Sequence, residues 1–318
     1  MIRIGVDEAG LGPKVGPLVI SAAVFRFHEP PEKQLWWHLS GVVSRAGSRR
    51  RRALVVDDSK RVYSPQKGLG QLEESVLAFL GAAGLEVPVL GELLEAVSVS
   101  RRRWTERYPW YQGAELGLPR TARGLGARQK SERLRQALAK RGVELVGTWS
   151  LIAHPREYNR VMERAGSKST GHFGLVARLI QRVLPLSGEE ETTIVCDKLG
   201  GRQNYGPLIG RFFRGSAIRI QEESRGRSRY QVRWRGRRFG LAFMRDGDQR
   251  CFEVALASMQ SKYLRELHME LFNAYWQAQL PGLKPTAGYG RDGLRFVREV
   301  EPKLEELGLD RDALVRAR

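Results

Sequence analysis

The chain has 318 residues, 42% of them hydrophobic, which is enough for one large domain or two of ordinary size. Lys and Arg number 54 against 35 Asp and Glu, a formal net charge of +19, which favours a polyanionic partner such as nucleic acid. Two cysteines exclude a disulfide scaffold and a four-cysteine zinc site. No apolar run approaches the ~20 residues of a membrane helix, and no signal-peptide pattern opens the chain. We therefore expect a cytoplasmic protein that does not contact a membrane.

Strand and helix patterns interleave along the chain without a strict period, which predicts an α/β domain with a mixed sheet. In the first half, the patterns predict strands at 2–6 and 18–27, helices at 31–43 and from Ser64-Pro65 onward, an insertion at about 92–142, and a helix within it at 127–141. In the second half, they predict strands at 143–152 and 192–195, helices at 155–164 and 171–184, two or three hairpin-linked strands at 217–244, and helices at 250–277 and 292–307.

Four acidic residues stand at predicted strand ends. Asp7 and Glu8 close the first apolar strand, and Asp197 closely follows the strand at 192–195. Asp248 lies where the hairpin region meets the long helix. Several such acids brought together could hold magnesium through oxygen ligands, as a two-metal phosphodiester hydrolase requires. Taken alone, each acid could instead cap a helix or a turn.

A first basic segment lies within the predicted insertion. Arg101, Arg102 and Arg103 precede a stretch of aromatic residues at 104–111. Arginines can bind phosphates while aromatic rings stack on bases, so this segment could contact the backbone of a nucleic acid. The alternative is that the aromatic side chains anchor the insertion and the arginines are solvated.

A second basic segment is the predicted strand from Arg229 to Arg235. Because side chains alternate along a strand, Tyr230, Val232 and Trp234 share one face. The opposite face carries Arg229, Gln231, Arg233 and Arg235. This pattern predicts an apolar face for packing and a basic face for contact with a nucleic-acid backbone. Protection of an edge strand by charge is the alternative.

Five motifs, in order along the chain, resemble those of ribonuclease HII, the type 2 ribonucleases H. The first is Gly5-Val6-Asp7-Glu8-Ala9-Gly10 with Gly12-Pro13 and Gly16-Pro17. The others are Asp58-Ser59-Lys60, Val195-Cys196-Asp197, the stretch from Gly247-Asp248 to Ala257-Ser258-Met259-Gln260-Ser261-Lys262, and Ala287-Gly288-Tyr289-Gly290. The motifs cover most of the chain outside residues 92–142 and 217–244, which would be additions to the family pattern.

The resemblance implies an RNase H-like mixed β-sheet flanked by helices. The catalytic domain would occupy residues 1–269, and a small C-terminal helical subdomain would occupy residues 270–318. The implied activity is hydrolysis of the RNA strand of RNA–DNA hybrids by a two-metal mechanism with Mg²⁺ or Mn²⁺, leaving 3′-hydroxyl and 5′-phosphate ends. The implied catalytic and metal-binding acids are Asp7, Glu8, Asp197 and Asp248.

The resemblance also implies how an RNA–DNA hybrid, or a DNA duplex that contains RNA, would be bound. Gly10 and Gly12 would present backbone groups to a ribose 2′-hydroxyl, and Tyr289 would stack near the scissile junction. Three further side chains would lie near phosphates or beside the acids: Lys60, Ser258 and Lys262. We expect a monomer, and the sequence does not identify a protein partner.

The chain departs from the family pattern at Leu11, where an arginine stands between the two glycines of the turn. Leucine cannot make a charged contact with a phosphate, so we expect weaker recognition of a single embedded ribonucleotide than of a long hybrid. A nearby arginine, such as Arg202 or Arg291, could take its place. A DNA nuclease of the same fold and a catalytically silent nucleic-acid-binding protein are the alternative functions.

Overall fold

A computed structural model of the protein describes residues 1–50, 52–100 and 107–317. The strands in these ranges are β1 (Ile2–Ala9), β2 (Leu18–Phe27), β3 (Val43–Ser44), β4 (Leu54–Val55), β5 (Val143–Ala153), β6 (Thr192–Asp197), β7 (Ala217–Glu223), β8 (Arg227–Trp234) and β9 (Arg237–Met244). The α-helices are α1 (Leu35–His38), α2 (Ser59–Val62), α3 (Gly70–Ala82), α4 (Leu90–Val97), α5 (Ala127–Ala139), α6 (Pro155–Ala165), α7 (Lys168–Val183), α8 (Gly206–Phe212), α9 (Gly247–Arg250), α10 (Phe252–Gln279), α11 (Gly290–Glu306) and α12 (Arg311–Leu314).

Seven of the strands form one mixed sheet in the order β5-β2-β1-β6-β9-β8-β7. The pairs β1–β2 and β2–β5 are antiparallel, whereas β6 runs parallel to both β1 and β9. Antiparallel pairing then links β9 to β8 and β8 to β7. The predicted architecture, a mixed β-sheet flanked by helices, is confirmed.

Helices cover both faces of the central strands. On one face, α10 crosses β1 so closely that a Cβ atom on Gly5 would lie 2.0 Å from the carbonyl carbon of Glu253, so this position requires glycine. On the other face, α7 packs against an apolar layer that contains Ile4 and Val6 of β1. Because side chains alternate along a strand, Asp7 points to the α10 side of the sheet and Glu8 to the α7 side.

The C-terminal residues pack around the second half of α10. Phe272 and Trp276 of α10 share a cluster with Phe296 of α11 and with Trp110. The chain then returns to the start of the molecule, where Val315 pairs with Val15. Since α10 runs without a break through the predicted boundary after residue 269, the division into a catalytic domain and a C-terminal subdomain stays a prediction.

Two predicted helices differ from the structure. The helix expected at 31–43 contains only Leu35–His38, because Val43 is drawn into the two-stranded sheet of β3 and β4. The helix expected from Ser64-Pro65 begins at Gly70 instead, since Gly68 has a φ of +69° and interrupts the chain before it. Within the described ranges, no helix is long and apolar enough to cross a membrane.

Candidate active site

The parallel pairing of β1 and β6 brings two of the predicted acids together. Val6 lies opposite Cys196 in this ladder, so Asp7 and Asp197 follow at neighbouring strand ends, about 4.8 Å apart along the hydrogen-bonding direction. Both side chains point to the α10 side of the sheet. This edge of the sheet is where the predicted metal centre would lie.

Asp248 reaches the same edge through the short helix α9. The Gly247 N–H donates a hydrogen bond of 2.8 Å to Asp197 Oδ1, which ties the start of α9 to the end of β6. A Cβ atom on Gly247 would lie only 3.3 Å from that same oxygen. The lack of a side chain at Gly247 therefore lets Asp248 sit beside Asp197.

Burial and mutual repulsion raise the pKa values of this group of carboxyls. Burial raises the pKa of Asp7 well above its usual value, and Glu8 and Asp197 add to the effect. Burial, followed by repulsion from Asp197, raises the pKa of Glu8 to about 8. Burial, followed by Asp58 and Asp197, raises the pKa of Asp248 to about 7. The predicted acids therefore act on one another electrostatically.

The acids have the chemistry of a site for a hard divalent cation. Carboxylate oxygens are the ligands that Mg²⁺ and Mn²⁺ take in proteins, and a cation would relieve the repulsion that raises these pKa values. As the described side chains stand, no group of three His, Cys, Asp or Glu is arranged to hold a metal ion.

Two further residues, for which no role was predicted, belong to this site. Asp58 accepts a hydrogen bond from the Lys60 N–H and caps α2, and it also hydrogen-bonds Asp248. His172 of α7 is buried, with Nε2 3.7 Å from Glu8 Oε2. Asp58 lies in the motif Asp58-Ser59-Lys60, so the sequence could have identified it as a site residue. His172 lies in none of the five motifs.

The predicted 2′-hydroxyl turn lies next to Tyr289. Gly10 has a φ of +89°, and a Cβ atom there would lie 2.5 Å from Nε of Arg265, so only glycine fits. A Cβ atom on Gly12 would lie 3.8 Å from the ring of Tyr289. Since 45% of Tyr289 is exposed, its ring is accessible beside the turn. The substrate-binding roles of these residues stay a prediction.

The remaining predicted site residues have different surroundings. Lys60 is exposed and acts electrostatically on Glu8. Ser258 is buried on α10, where its hydroxyl donates to Ser59 Oγ at 3.1 Å and acts to lower the pKa of Asp7. Lys262 donates to Glu266 Oε1 at 2.6 Å and lies over the ring of Tyr63. Lys60 and Ser258 thus lie with the acids, whereas Lys262 is paired with another carboxylate.

The structure describes part of the basic segment of the insertion. Arg101, Arg102 and Arg103 lie outside the described residues. Among the aromatic residues that follow them, Tyr108 and Trp110 are buried. Both belong to the apolar cluster of α10 and α11. These two side chains therefore anchor the insertion to the domain, as the alternative to base stacking predicted.

The basic strand β8 has the two predicted faces. Tyr230, Val232 and Trp234 are buried on the α7 side of the sheet. Their neighbours on β8 face the α10 side, the side of Asp7 and Asp197. Residues paired across a sheet share a face. The pairing of β8 with β7 and β9 therefore places four arginines on the α10 side: Arg219, Arg229, Arg233 and Arg238. Arg235 lies in the following turn with its guanidinium over the ring of Trp234.

We call Arg219, Arg229, Arg233 and Arg238 the basic sheet face. Three of them, Arg219, Arg229 and Arg238, line an open groove of about 1320 Å³. All four arginines are exposed, and Arg229 is paired with Glu222 at 3.2 Å. Four arginines on one flat strand surface are suited to backbone phosphates. We therefore expect this face to add affinity that does not depend on sequence.

Replacing Arg219, Arg233 and Arg238 with glutamine tests this face. If all three contact phosphates, the slope of log K against log salt should fall by about two to three. Binding of a labelled RNA–DNA hybrid would be measured at several salt concentrations without divalent metal. A triple replacement of exposed arginines elsewhere, Arg160, Arg164 and Arg298, is the charge-matched control. An unchanged slope would assign the basic sheet face to solvation alone.

Solved structures similar to this chain include ribonucleases HII and HIII. Ribonuclease HII in a complex with PCNA from Archaeoglobus fulgidus shares 16% identity over 100% of this chain and 95% of that one, with a TM-score of 0.42. A Bst ribonuclease HIII in complex with Mn²⁺ shares 12% identity over 99% and 66%, with a TM-score of 0.43. Ribonuclease H2 from Pyrococcus horikoshii shares 15% identity over 99% and 92%, with a TM-score of 0.38.

No protein-family model and no curated protein sequence matches the chain. The similarity to the solved structures concerns the fold and does not extend to the function of this chain. The function therefore has to be argued from the residues of the candidate site.

Proposed function

We propose that the protein is a divalent-metal-dependent endoribonuclease that hydrolyses the RNA strand of RNA–DNA hybrids. The observation that carries this proposal is the group of four acids, Asp7, Glu8, Asp197 and Asp248, whose pKa values are raised by burial and by neighbouring carboxyls. Such a group is costly for stability, and a nuclease that binds two cations has a use for it. The basic sheet face on the same side of the sheet supports a nucleic-acid substrate.

In this proposal the four acids hold two Mg²⁺ or Mn²⁺ ions. Such ions, when bound, activate a water molecule and stabilise charge on the leaving oxygen, which leaves a 5′-phosphate and a 3′-hydroxyl. The rest of the site orients the acids. Gly247 donates to Asp197 Oδ1 and Ser261 donates to the backbone carbonyl of Asp7, so two of the acidic residues are held by groups on α9 and α10.

Recognition of RNA is assigned to the turn that contains Gly10 and Gly12. The 2′-hydroxyl is the group by which a protein distinguishes RNA from DNA, and a turn without side chains can approach it closely. Tyr289, exposed beside Gly12, would stack on the nucleotide there. Lys60, which interacts electrostatically with Glu8, would lie near a phosphate.

Incision assays on three duplexes test the proposal. The substrates are an RNA–DNA hybrid, a DNA duplex with one ribonucleotide, and an all-DNA duplex of the same sequence. We expect cleavage of both RNA-containing duplexes in Mg²⁺ or Mn²⁺, 5′-phosphate product ends, and no cleavage in EDTA. Equal cleavage of the all-DNA duplex would identify a DNA nuclease instead, and binding without cleavage in either metal would identify a silent binding protein.

A further inference from the structure

The turn of residues 10–17 joins β1 to β2 and contains the two glycines assigned to the 2′-hydroxyl. Gly10 and Gly16 have φ values of +89° and +80°, which glycine adopts most readily. Because glycine also leaves the backbone more freedom than any other residue, such a turn does not fix its own shape. The shape needed to meet a ribose must therefore come from contacts with the rest of the protein.

A buried arginine of α10 lies beneath this turn. Arg265 is fully buried, and a Cβ atom on Gly10 would lie 2.5 Å from its Nε. A Cβ atom on Gly16 would lie 3.7 Å from its Nη2. The same Nη2 donates to the Ala287 carbonyl at 2.8 Å, and the guanidinium lies 5.2 Å from the ring centre of Tyr289. Arg265 thus contacts both the turn and the loop that carries the exposed tyrosine.

A second buried arginine reaches the turn from the C-terminal segment, residues 313–317. Arg316 is 3% exposed, and its Nη2 donates to the Pro13 carbonyl. Its backbone N–H donates to the Lys14 carbonyl at 2.8 Å, and Val315 pairs with Val15. The C-terminal segment therefore binds three consecutive residues of the turn.

The C-terminal segment is itself held by α6. Asn159 donates from Nδ2 to the Val315 carbonyl at 2.9 Å and accepts a hydrogen bond of 2.6 Å from the Ala317 N–H. The guanidinium of Arg316 lies 4.9 Å from the ring centre of Tyr158. Because these contacts come from a helix that packs within the domain, the segment is a fixed support for the turn.

The turn also meets the loop of Tyr289 directly. The Lys14 N–H donates to the Gly288 carbonyl at 2.7 Å. A Cβ atom on Gly288 would lie 2.7 Å from the Val15 carbonyl oxygen, so the two backbones are in close contact. The turn, the Tyr289 loop and the C-terminal segment therefore form one bonded unit.

We infer that Arg265 and Arg316 are positioning residues that set the preference for ribose over deoxyribose, an inference that rests on the proposed function. They fix the turn so that the backbone at Gly10 and Gly12 meets a 2′-hydroxyl, and Arg265 also fixes Tyr289. Both act through these groups, because buried side chains do not touch the substrate. A recognition group displaced by about 1 Å loses much of its effect. Their loss should therefore lower the preference for ribose more than the affinity for the backbone, which the basic sheet face would supply.

Binding of two duplexes in EDTA tests the inference. One is a DNA duplex with a single ribonucleotide, and the other is the all-DNA duplex of the same sequence. For the wild type, we expect the ribonucleotide duplex to bind roughly tenfold more tightly. In Arg265→Gln and in Arg316→Gln, this ratio should fall close to one, with affinity for the all-DNA duplex within about threefold of the wild type. Arg316→Lys keeps a cationic donor and should show a ratio between those of the wild type and Arg316→Gln.

A control variant separates positioning from stability. Leu134→Ala truncates a fully buried side chain of α5, in a different apolar cluster from those of Leu11 and Val15. It should lower the melting temperature and keep the wild-type ratio. A ratio that falls as far in Leu134→Ala as in the arginine variants would overturn the positioning role.

The inference and the proposed function fail in different ways. Wild-type ratios in both arginine variants, or equal binding of the two duplexes by the wild type, would overturn the positioning role even if the protein cleaves RNA. Lowered ratios in a protein that cleaves neither duplex would keep the positioning role and overturn the proposed function. If neither arginine variant folds, as circular dichroism would show, Asn159→Ala decides, because it removes two hydrogen bonds to the C-terminal segment. A wild-type ratio in Asn159→Ala would then overturn the inference.

Discussion

Asp7→Asn is expected to lower the rate of hybrid cleavage by at least about a thousandfold and to leave hybrid binding within about threefold of the wild type. Asp7 interacts electrostatically with each of the other three acids, Glu8, Asp197 and Asp248. An amide in its place keeps the shape but removes a charged ligand. Affinity would change little because the basic surface supplies it independently of the acids.

The two effects are measured separately. Single-turnover cleavage in Mg²⁺ and in Mn²⁺ gives the rate, and fluorescence anisotropy in EDTA gives the affinity. Asp312→Asn removes an exposed carboxylate of α12 and should behave as the wild type in both. Equal cleavage by Asp7→Asn and the wild type would remove Asp7 from the catalytic machinery, and a parallel loss of binding would indicate a folding defect.

The convergence of the acids follows from local signals that the sequence carries. A strand ending in Asp7-Glu8 and another ending in Asp197 place their acids at one edge as soon as the two strands pair in parallel, which β1 and β6 do. Alternation along the strand also separates Asp7 from Glu8, one to each face. The same alternation predicted an apolar and a basic face for β8. The alternate residues of β8 that are buried confirm the apolar face.

Other parts of the site depend on contacts between distant segments. His172 reaches Glu8 because α7 packs on the sheet, and Arg316 reaches the turn after β1 because the C-terminal segment pairs with Val15. Neither residue lies in a motif, so no spacing in the sequence could identify it. The shortened helix at 31–43 has a similar cause, since the local helical pattern there competes with strand pairing at Val43.

The metal-free protein is expected to lose stability as the pH rises from about 6.5 to about 8.5. The pKa of Asp248 is raised to about 7 and that of Glu8 to about 8, in both cases mainly by burial. In the unfolded chain both carboxyls are already ionised in this range. The folded state therefore binds more protons than the unfolded state, so the free energy of unfolding falls with rising pH until both groups have lost their protons.

Buried histidines do not obscure this effect. Burial lowers the pKa values of His154, His172 and His268. These groups are neutral in the folded state, and in the unfolded chain they lose their protons near pH 6.5. Their contribution to stability therefore rises with pH up to about 6.5 and is constant above about 7.5. Burial also raises the pKa values of Cys196 and Cys251, and because unfolded cysteines ionise near pH 8.5, they add to the fall above about pH 8. The fall between about pH 7.5 and 8 belongs to the acids.

Asp248→Asn isolates one of these acids. Without metal at about pH 8, the variant is expected to be more stable than the wild type by about 2 kcal/mol, because it removes a charge that burial disfavours. Its melting temperature would then be several degrees higher. Asp312→Asn, exposed on α12, should leave the melting temperature unchanged.

Added Mg²⁺ or Mn²⁺ should stabilise the wild type more than Asp248→Asn, since a cation needs the ionised carboxylate. A destabilised Asp248→Asn protein, or equal stabilisation of both proteins by metal, would show that Asp248 is a structural residue and that the cations bind elsewhere.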